Sequence, residues 1–272
     1  FAARRLLIAR FDGKPAALSW LSESAAAALE RALLVRLAHL GAPALFEEFE
    51  AHRPAGPVLL ARLIGDRPEG APDAHYRPFV ARLGREGLGA LACRWPALAR
   101  LASIAVGDWV DLSAELLERY ADDRPALAPL VTNGDEAPGV IVGIAPDLSD
   151  PHRGGRTVAI LEFESGGRIV YKPRPLAMES AWEQFVEWCN RSGELPCNLR
   201  AAPAFDRGAY GWMAHVTARP CESRDALERY YTRAGMLLAL LHLLRGTDCH
   251  WENLVAAGEH PVLVDAEALT RD

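Results

Sequence analysis

The sequence predicts an α+β protein. A mainly helical region covers residues 1–135, and a set of short strands with two helices covers 136–272. Three observations predict this. Stretches rich in Ala, Leu, Arg and Glu, with apolar residues near helical spacing, fill the first half. Short β-branched runs punctuated by glycine begin at Gly139. Segment 247–267 then sets two brief apolar runs around a turn, with polar residues at their ends.

Taken in order, residues 1–20 read as a short apolar segment and a turn at Asp12, Gly13, Lys14 and Pro15. From Ser22 to about Glu50, Leu29, Leu33, Leu37 and Leu40 mark a helix, with a break expected at Gly41 to Pro43. Tyr76 to Ile104 reads as two or three helices, one opened by Pro96. Ser113 before Ala114, Glu115 and Leu116 looks like an N-cap for a helix to about Tyr120. His39, His52 and His75 are isolated, and the region to residue 135 contains no catalytic constellation.

After Gly139, Val140 to Ala145 is a strand, Asp147 to Gly155 a polar loop and Thr157 to Phe163 a second strand. Glycine supplies the hairpin turn Glu164-Ser165-Gly166-Gly167, and Arg168 to Lys172 is a third strand. Met178 to Ser192 is a helix with Trp182, Phe185, Val186 and Cys189 on one face. Segments 199–206 and 209–217 read as further strands. Pro220 to Ser223 reads as a hinge, and Asp225 to Leu244 as an apolar helix ending at Gly246.

Composition bounds the class. The 272 residues are 50% hydrophobic and 24% charged, as in globular proteins, and no apolar run reaches membrane-spanning length. Five scattered cysteines without a Cys-x-x-Cys pair point to reduced thiols and a cytoplasmic setting. A net charge of −6 does not favour nucleic acid or an anionic membrane. Of 30 basic residues, only Lys14 and Lys172 are lysine, so a lysine here stands out as a compact point charge suited to phosphate.

The chemistry concentrates at 247–267. Asp248 and Asn253 are five positions apart; Leu254 to Ala257 and Val262 to Val264 form a hairpin across Gly258 to Pro261, and Asp265 and Glu267 follow. Kinases hold a nucleotide with this order of residues. Pairing of the hairpin strands would bring the Asn253 amide oxygen and the Asp265 carboxylate together, the oxygen-rich setting of a Mg²⁺ site. Asp248 would then face an acceptor hydroxyl. A glycine-containing loop (Gly154, Gly155, Arg156) followed by Lys172 on strand three repeats the order of a phosphate-covering loop and a phosphate-pairing lysine. Glu179, Glu183 and Glu187 are alternative partners for that lysine. The second half thus reads as a kinase-like small lobe and the start of a large lobe. Asp150 and His152 fit a plain kinase poorly, because a carboxylate repels phosphate. They are turn formers, or they serve an extra step on a phosphorylated product.

Ser149-Asp150-Pro151-His152-Arg153-Gly154-Gly155-Arg156, Val170-Tyr171-Lys172-Pro173-Arg174, Tyr210-Gly211-Trp212, Tyr230-Tyr231 through Gly235, and Thr247 to Glu267 resemble the dehydratase domain of class II lanthipeptide synthetases, the LanM type. The resemblance implies a lipid-kinase-like core. It implies ATP-dependent phosphorylation of Ser and Thr in a leader-core precursor peptide, then phosphate elimination to dehydroalanine or dehydrobutyrine. Lys172 would hold ATP phosphates, with Gly154, Gly155 and Arg156 in the covering loop. Asp248 and His250 would serve the acceptor, Asn253 and Asp265 would bind Mg²⁺ with Glu267 in support, and Asp150 and His152 would act in elimination. The family's other elimination residues, an Arg and a Thr, and its zinc-dependent cyclase lie further along than Asp272. The chain alone therefore reads as about half of a dehydratase, inactive in isolation. Two other readings compete: an aminoglycoside-type small-molecule phosphotransferase, and a pseudokinase that only binds peptide. The precursor peptide's identity, its leader-binding site and the oligomeric state are not legible in the sequence.

Overall fold

The computed structural model describes residues 2–11, 16–52, 75–131, 136–150 and 154–269. The chain divides into two compact units, Phe1–Leu7 with Glu30–Asp111, and Ile8–Leu29 with Leu112–Asp272.

Helices build the first unit: α1 (Ala2–Arg10), α2 (Glu23–His52), α3 (Tyr76–Glu86), α4 (Leu88–Arg94) and α5 (Pro96–Asp123), of which α1, α2 and α5 give residues to both units. The break expected at Gly41 to Pro43 is absent, and α2 runs through Pro43. Proline inside a helix costs about 3 kcal/mol through a lost hydrogen bond and a clash with the preceding turn. Here the turn after Pro43 buries Ala44 and Glu48, and that packing offsets the cost. Glu48 is the anchor. Its carboxylate accepts hydrogen bonds from Trp95 Nε1 at 3.0 Å and Arg94 at 3.2 Å. Phe49 packs edge-on to Phe79, with ring centres 5.4 Å apart. Ser113 is no cap. It lies buried inside α5, because the apolar stripe of Ala105, Trp109, Val110, Ala114 and Leu117 continues past it.

The second unit contains both sheets, so the class is α+β as the residue patterns predict. Strands β1 (Ile141–Ala145), β2 (Ala159–Phe163), β3 (Arg168–Lys172), β4 (Ala204–Asp206) and β5 (Gly211–Ala214) form one antiparallel sheet in the order β1-β2-β3-β5-β4. β4 and β5 are shorter than the runs 199–206 and 209–217 suggest. The end of α5 covers one face: Tyr120 stacks on Phe163, and buried Asp123 accepts from Trp212 Nε1 and Tyr210 Oη, each at 2.8 Å. Lys172 pairs with Gly211 across β3 and β5. A side chain at 211 would meet Leu176 at 2.6 Å, so glycine is required for this close approach.

On the other side lie α6 (Ala177–Ser192) and α7 (Arg224–Leu243). Ser223 caps α7, its hydroxyl accepting from the Ala226 amide at 3.1 Å. Trp182 and Val186 of α6 meet Leu237 and Leu241 of α7 in one cluster with Leu263, Ala266 and Leu269. That cluster seats the last hairpin, β6 (Leu254–Ala257) paired with β7 (His260–Leu263). Each such side chain fully buried contributes about 1.5–3 kcal/mol. Among the described residues, no helix is long and apolar enough to cross a membrane.

Candidate active site

A cleft of about 890 Å³ opens within the second unit, a size typical of small-molecule sites. Ile160, Val170, Met213, Val216, Val255 and Val264 form its apolar walls. Polar residues line it around Lys172, around Asp248 and from Asp147, Ser149 and Asp150 of the loop between β1 and β2.

Lys172 ends β3, and its side chain is 5% exposed. Its ammonium has three partners: Glu179 Oε1 at 3.3 Å, the Val264 carbonyl at 2.8 Å and Asp265 Oδ2 at 3.4 Å. This selects Glu179 from the three glutamates that sequence spacing leaves open. Glu183 instead accepts from the Ala204 amide at 3.1 Å, and Glu187 faces Arg191 at 3.9 Å. The choice follows from helix phase, since Glu179 sits in the first turn of α6 and is buried.

Sequence reasoning missed Arg174. It stands two residues past Lys172 and reaches Glu179 Oε1 and Asp265 Oδ1, both at 2.7 Å, and Glu267 Oε2 at 3.1 Å. Two cations thus face three carboxylates. Burial would raise the Asp265 carboxyl, but Lys172 and Arg174 outweigh it and hold the group below its usual range. Burial disfavours the Arg174 cation, and Glu179, Asp265 and Glu267 more than compensate, so its pKa is raised. One signal was available: an arginine fixed between Pro173 and Pro175, beside the only lysine of the strands.

The other cluster is built by the loop from Thr247 to Asn253. Asp248 adopts φ 60°, a left-handed conformation that Asp tolerates better than most residues. His250 Nδ1 accepts from the Glu252 amide at 3.2 Å. The neutral ring therefore carries its proton on Nε2, which lies 3.1 Å from Asp248 Oδ1. The Asn253 amide nitrogen donates to the Asp248 carbonyl at 2.8 Å, with the Asp248 carboxylate at 3.4 Å. The side-chain oxygen is the amide's remaining acceptor. The Asn253 carbonyl accepts from the Val264 amide at 2.9 Å, so the hairpin places Asn253 beside the residue that precedes Asp265. Asn253, Asp265 and Glu267 all line the cleft. Each carries a side-chain oxygen, the donor type that Mg²⁺ takes. Among the described residues, no group of three His, Cys, Asp or Glu side chains is spaced to hold a metal by itself.

The loop between β1 and β2 is zipped at its root. The Leu148 amide donates to the Val158 carbonyl at 3.1 Å, and the Val158 amide to Ser149 Oγ at 3.1 Å. Asp150 lines the cleft, while His152 lies outside the described residues. Gly154 and Gly155 take φ 74° and 78°, which glycine alone adopts without strain. Neither they nor Arg156 line the cleft. Arg156 turns to Glu115 of α5, with Nε at 3.1 Å and Nη2 at 2.6 Å. Forty-one residues separate that pair, too far for local spacing to reveal.

Two comparisons bear on this site. The model of a family described as a domain of unknown function, DUF4135, matches residues 95–272. The lacticin 481/lactococcin biosynthesis protein LcnDR2 of Lactococcus lactis subsp. lactis is 28% identical over 172 residues. The match covers 61% of this chain and 18% of that protein's length.

Proposed function

The chain belongs to the DUF4135 family, the domain found in LanM-type lanthipeptide synthetases, and from that premise we propose that it is the phosphorylating part of a peptide dehydratase. The substrate is a leader-core precursor peptide whose Ser and Thr hydroxyls are first phosphorylated with ATP and Mg²⁺. Phosphate is then eliminated to leave the dehydroamino acid.

One observation carries the reading. A buried Lys172–Glu179 pair with Asp265 beside it shares a cleft with the Asp248–His250–Asn253 cluster. The order of a five-stranded antiparallel sheet, a helix bearing the paired glutamate, a helix, a loop and a hairpin parallels the small lobe and early large lobe of kinases. The size of the cleft and its apolar walls suit a nucleotide, and the side-chain oxygen donors suit Mg²⁺.

ATP bound with Mg²⁺ supplies the phosphoryl group and the charge that screens it. The chain's own residues then do the following. Lys172 offers a desolvated point charge to phosphate oxygens. Asp248 would accept the hydroxyl proton as the serine or threonine oxygen bonds to the γ-phosphorus, the bond from that phosphorus to the bridging oxygen breaks, and ADP leaves with its electrons. His250 Nε2–H steadies the Asp248 carboxylate through Oδ1. In elimination the α-proton passes to a base, the Cα–Cβ double bond forms, and the Cβ–O bond breaks with its electrons leaving on phosphate. Asp150, on the cleft wall, and His152 are assigned to that step.

Intact mass of the precursor peptide, incubated with the intact protein, ATP and Mg²⁺, tests the proposal. Loss of one water per modified residue is expected. Asp150→Ala or His152→Ala should stop the product at the phosphopeptide. Phosphate gain without water loss in the wild type would leave only a kinase, and no change in mass would remove both activities.

A further inference from the structure

We propose that Arg174 competes with the divalent cation for Asp265 and Glu267, so that its guanidinium sets how tightly this cleft takes a metal. The inference rests on the metal-binding part of the function proposed above.

The geometry is specific. Arg174 Nη2 lies 2.7 Å from Asp265 Oδ1, and Nε lies 3.1 Å from Glu267 Oε2. Those are the carboxylates assigned to the metal. Lys172 stands 3.4 Å from the other Asp265 oxygen, so both oxygens already face a cation. A divalent ion approaching either one meets like charge in a partly desolvated site, where repulsion is poorly screened. One cation must therefore give way. Lys172 is poorly placed to do so, being 5% exposed and fixed by the Val264 carbonyl and Glu179. Arg174 has partners to keep. Its Nη2 also contacts Glu179 Oε1 at 2.7 Å, and Nη1 donates to the Pro175 carbonyl at 3.2 Å. Pro173 and Pro175 restrict the backbone on either side, so the exchange falls to rotation of the side chain.

A plain structural staple would have the opposite consequence. If Arg174 only held Asp265 and Glu267 in position, removing it would disorder the ligands and weaken metal binding. The sign of the change therefore decides.

The experiment is a titration of the intact protein with Mn²⁺ as probe, free ion read by electron paramagnetic resonance, without nucleotide. Wild type is compared with Arg174→Gln and Arg174→Lys. Arg174→Gln should bind Mn²⁺ tighter by on the order of tenfold. It should also melt lower than wild type in chelator and regain more on adding Mg²⁺. Arg174→Lys, which keeps the charge but not the fork, should fall between the two, and it decides alone if the Gln variant does not fold. Unchanged or weaker affinity in the variants, with wild type binding metal normally, overturns the competition and leaves the proposed function standing. Absence of Mn²⁺ binding in wild type and variants alike overturns the competition together with the metal-dependent function.

Discussion

The two polar clusters of the cleft are built on opposite plans. At one, Asp265 is 28% exposed and both its oxygens face cations, with Lys172 and Arg174 also holding Glu179. At the other, Asp248 is 56% exposed and its carboxylate meets His250 and the Asn253 amide among the described residues. The first arrangement holds the Lys172 charge in place against Glu179 and the Val264 carbonyl; removing one partner of a buried pair leaves the other stranded. The second leaves a carboxylate free to exchange a proton with something that arrives. The phosphoryl transfer proposed above would use both, a fixed cluster for the donor and an exposed one for the acceptor.

The comparison is broken most directly at the exposed cluster. Asp248→Asn should lower peptide phosphorylation by about a hundred- to ten-thousandfold, the range for a lost acid–base group. The same variant should leave urea stability within about 0.5 kcal/mol, since the side chain is exposed. A stability loss as large as that of a core substitution would mean that Asp248 holds the loop rather than serving the acceptor.

At the fixed cluster the signature should be reversed. Lys172→Met strands Glu179 with Arg174 alone and should cost about 3 kcal/mol in urea unfolding as well as activity. A variant as stable as wild type would show that Arg174 suffices and that Lys172 is held for the ligand only. Gly211→Ala sharpens the point without touching a charge. Its added carbon would meet Leu176 at 2.6 Å and the Phe205 carbonyl at 2.7 Å, directly across from Lys172. A loss of about 1–3 kcal/mol is expected from overpacking.

The exposed cluster was the more legible of the two in sequence. Asp248, His250 and Asn253 lie within six consecutive positions, and the hairpin that follows is short and locally paired, so spacing alone assembles it. The strands β1 to β3 were legible for the same reason, with near-neighbour pairing across turns. The fixed cluster was only half legible. Lys172 stood out by rarity, but its glutamate depends on helix phase, and Arg174 reaches Asp265 across 91 residues. One arginine among 28 carries no local mark of such a role. The helical half misled in a different way. Pro43 and Ser113 are local stop and start signals, and tertiary burial overrode both.

The smallest expected effect separates the clusters by pH. Burial raises the Asp265 carboxyl, while Lys172 and Arg174 lower it further than burial raises it, leaving it below the ordinary value of 3.8. A carboxyl depressed in the folded state contributes stability above its unfolded pKa and loses it as pH falls through the folded one. The contribution is therefore intact at pH 5 and disappears progressively below about 3.8. Asp265→Asn removes that proton linkage, so the urea midpoint of the variant should fall less steeply between pH 5 and pH 3 than that of wild type. Parallel slopes would mean that Asp265 gains nothing from its two cations, and the fixed cluster would then hold its carboxylate no more firmly than the exposed one.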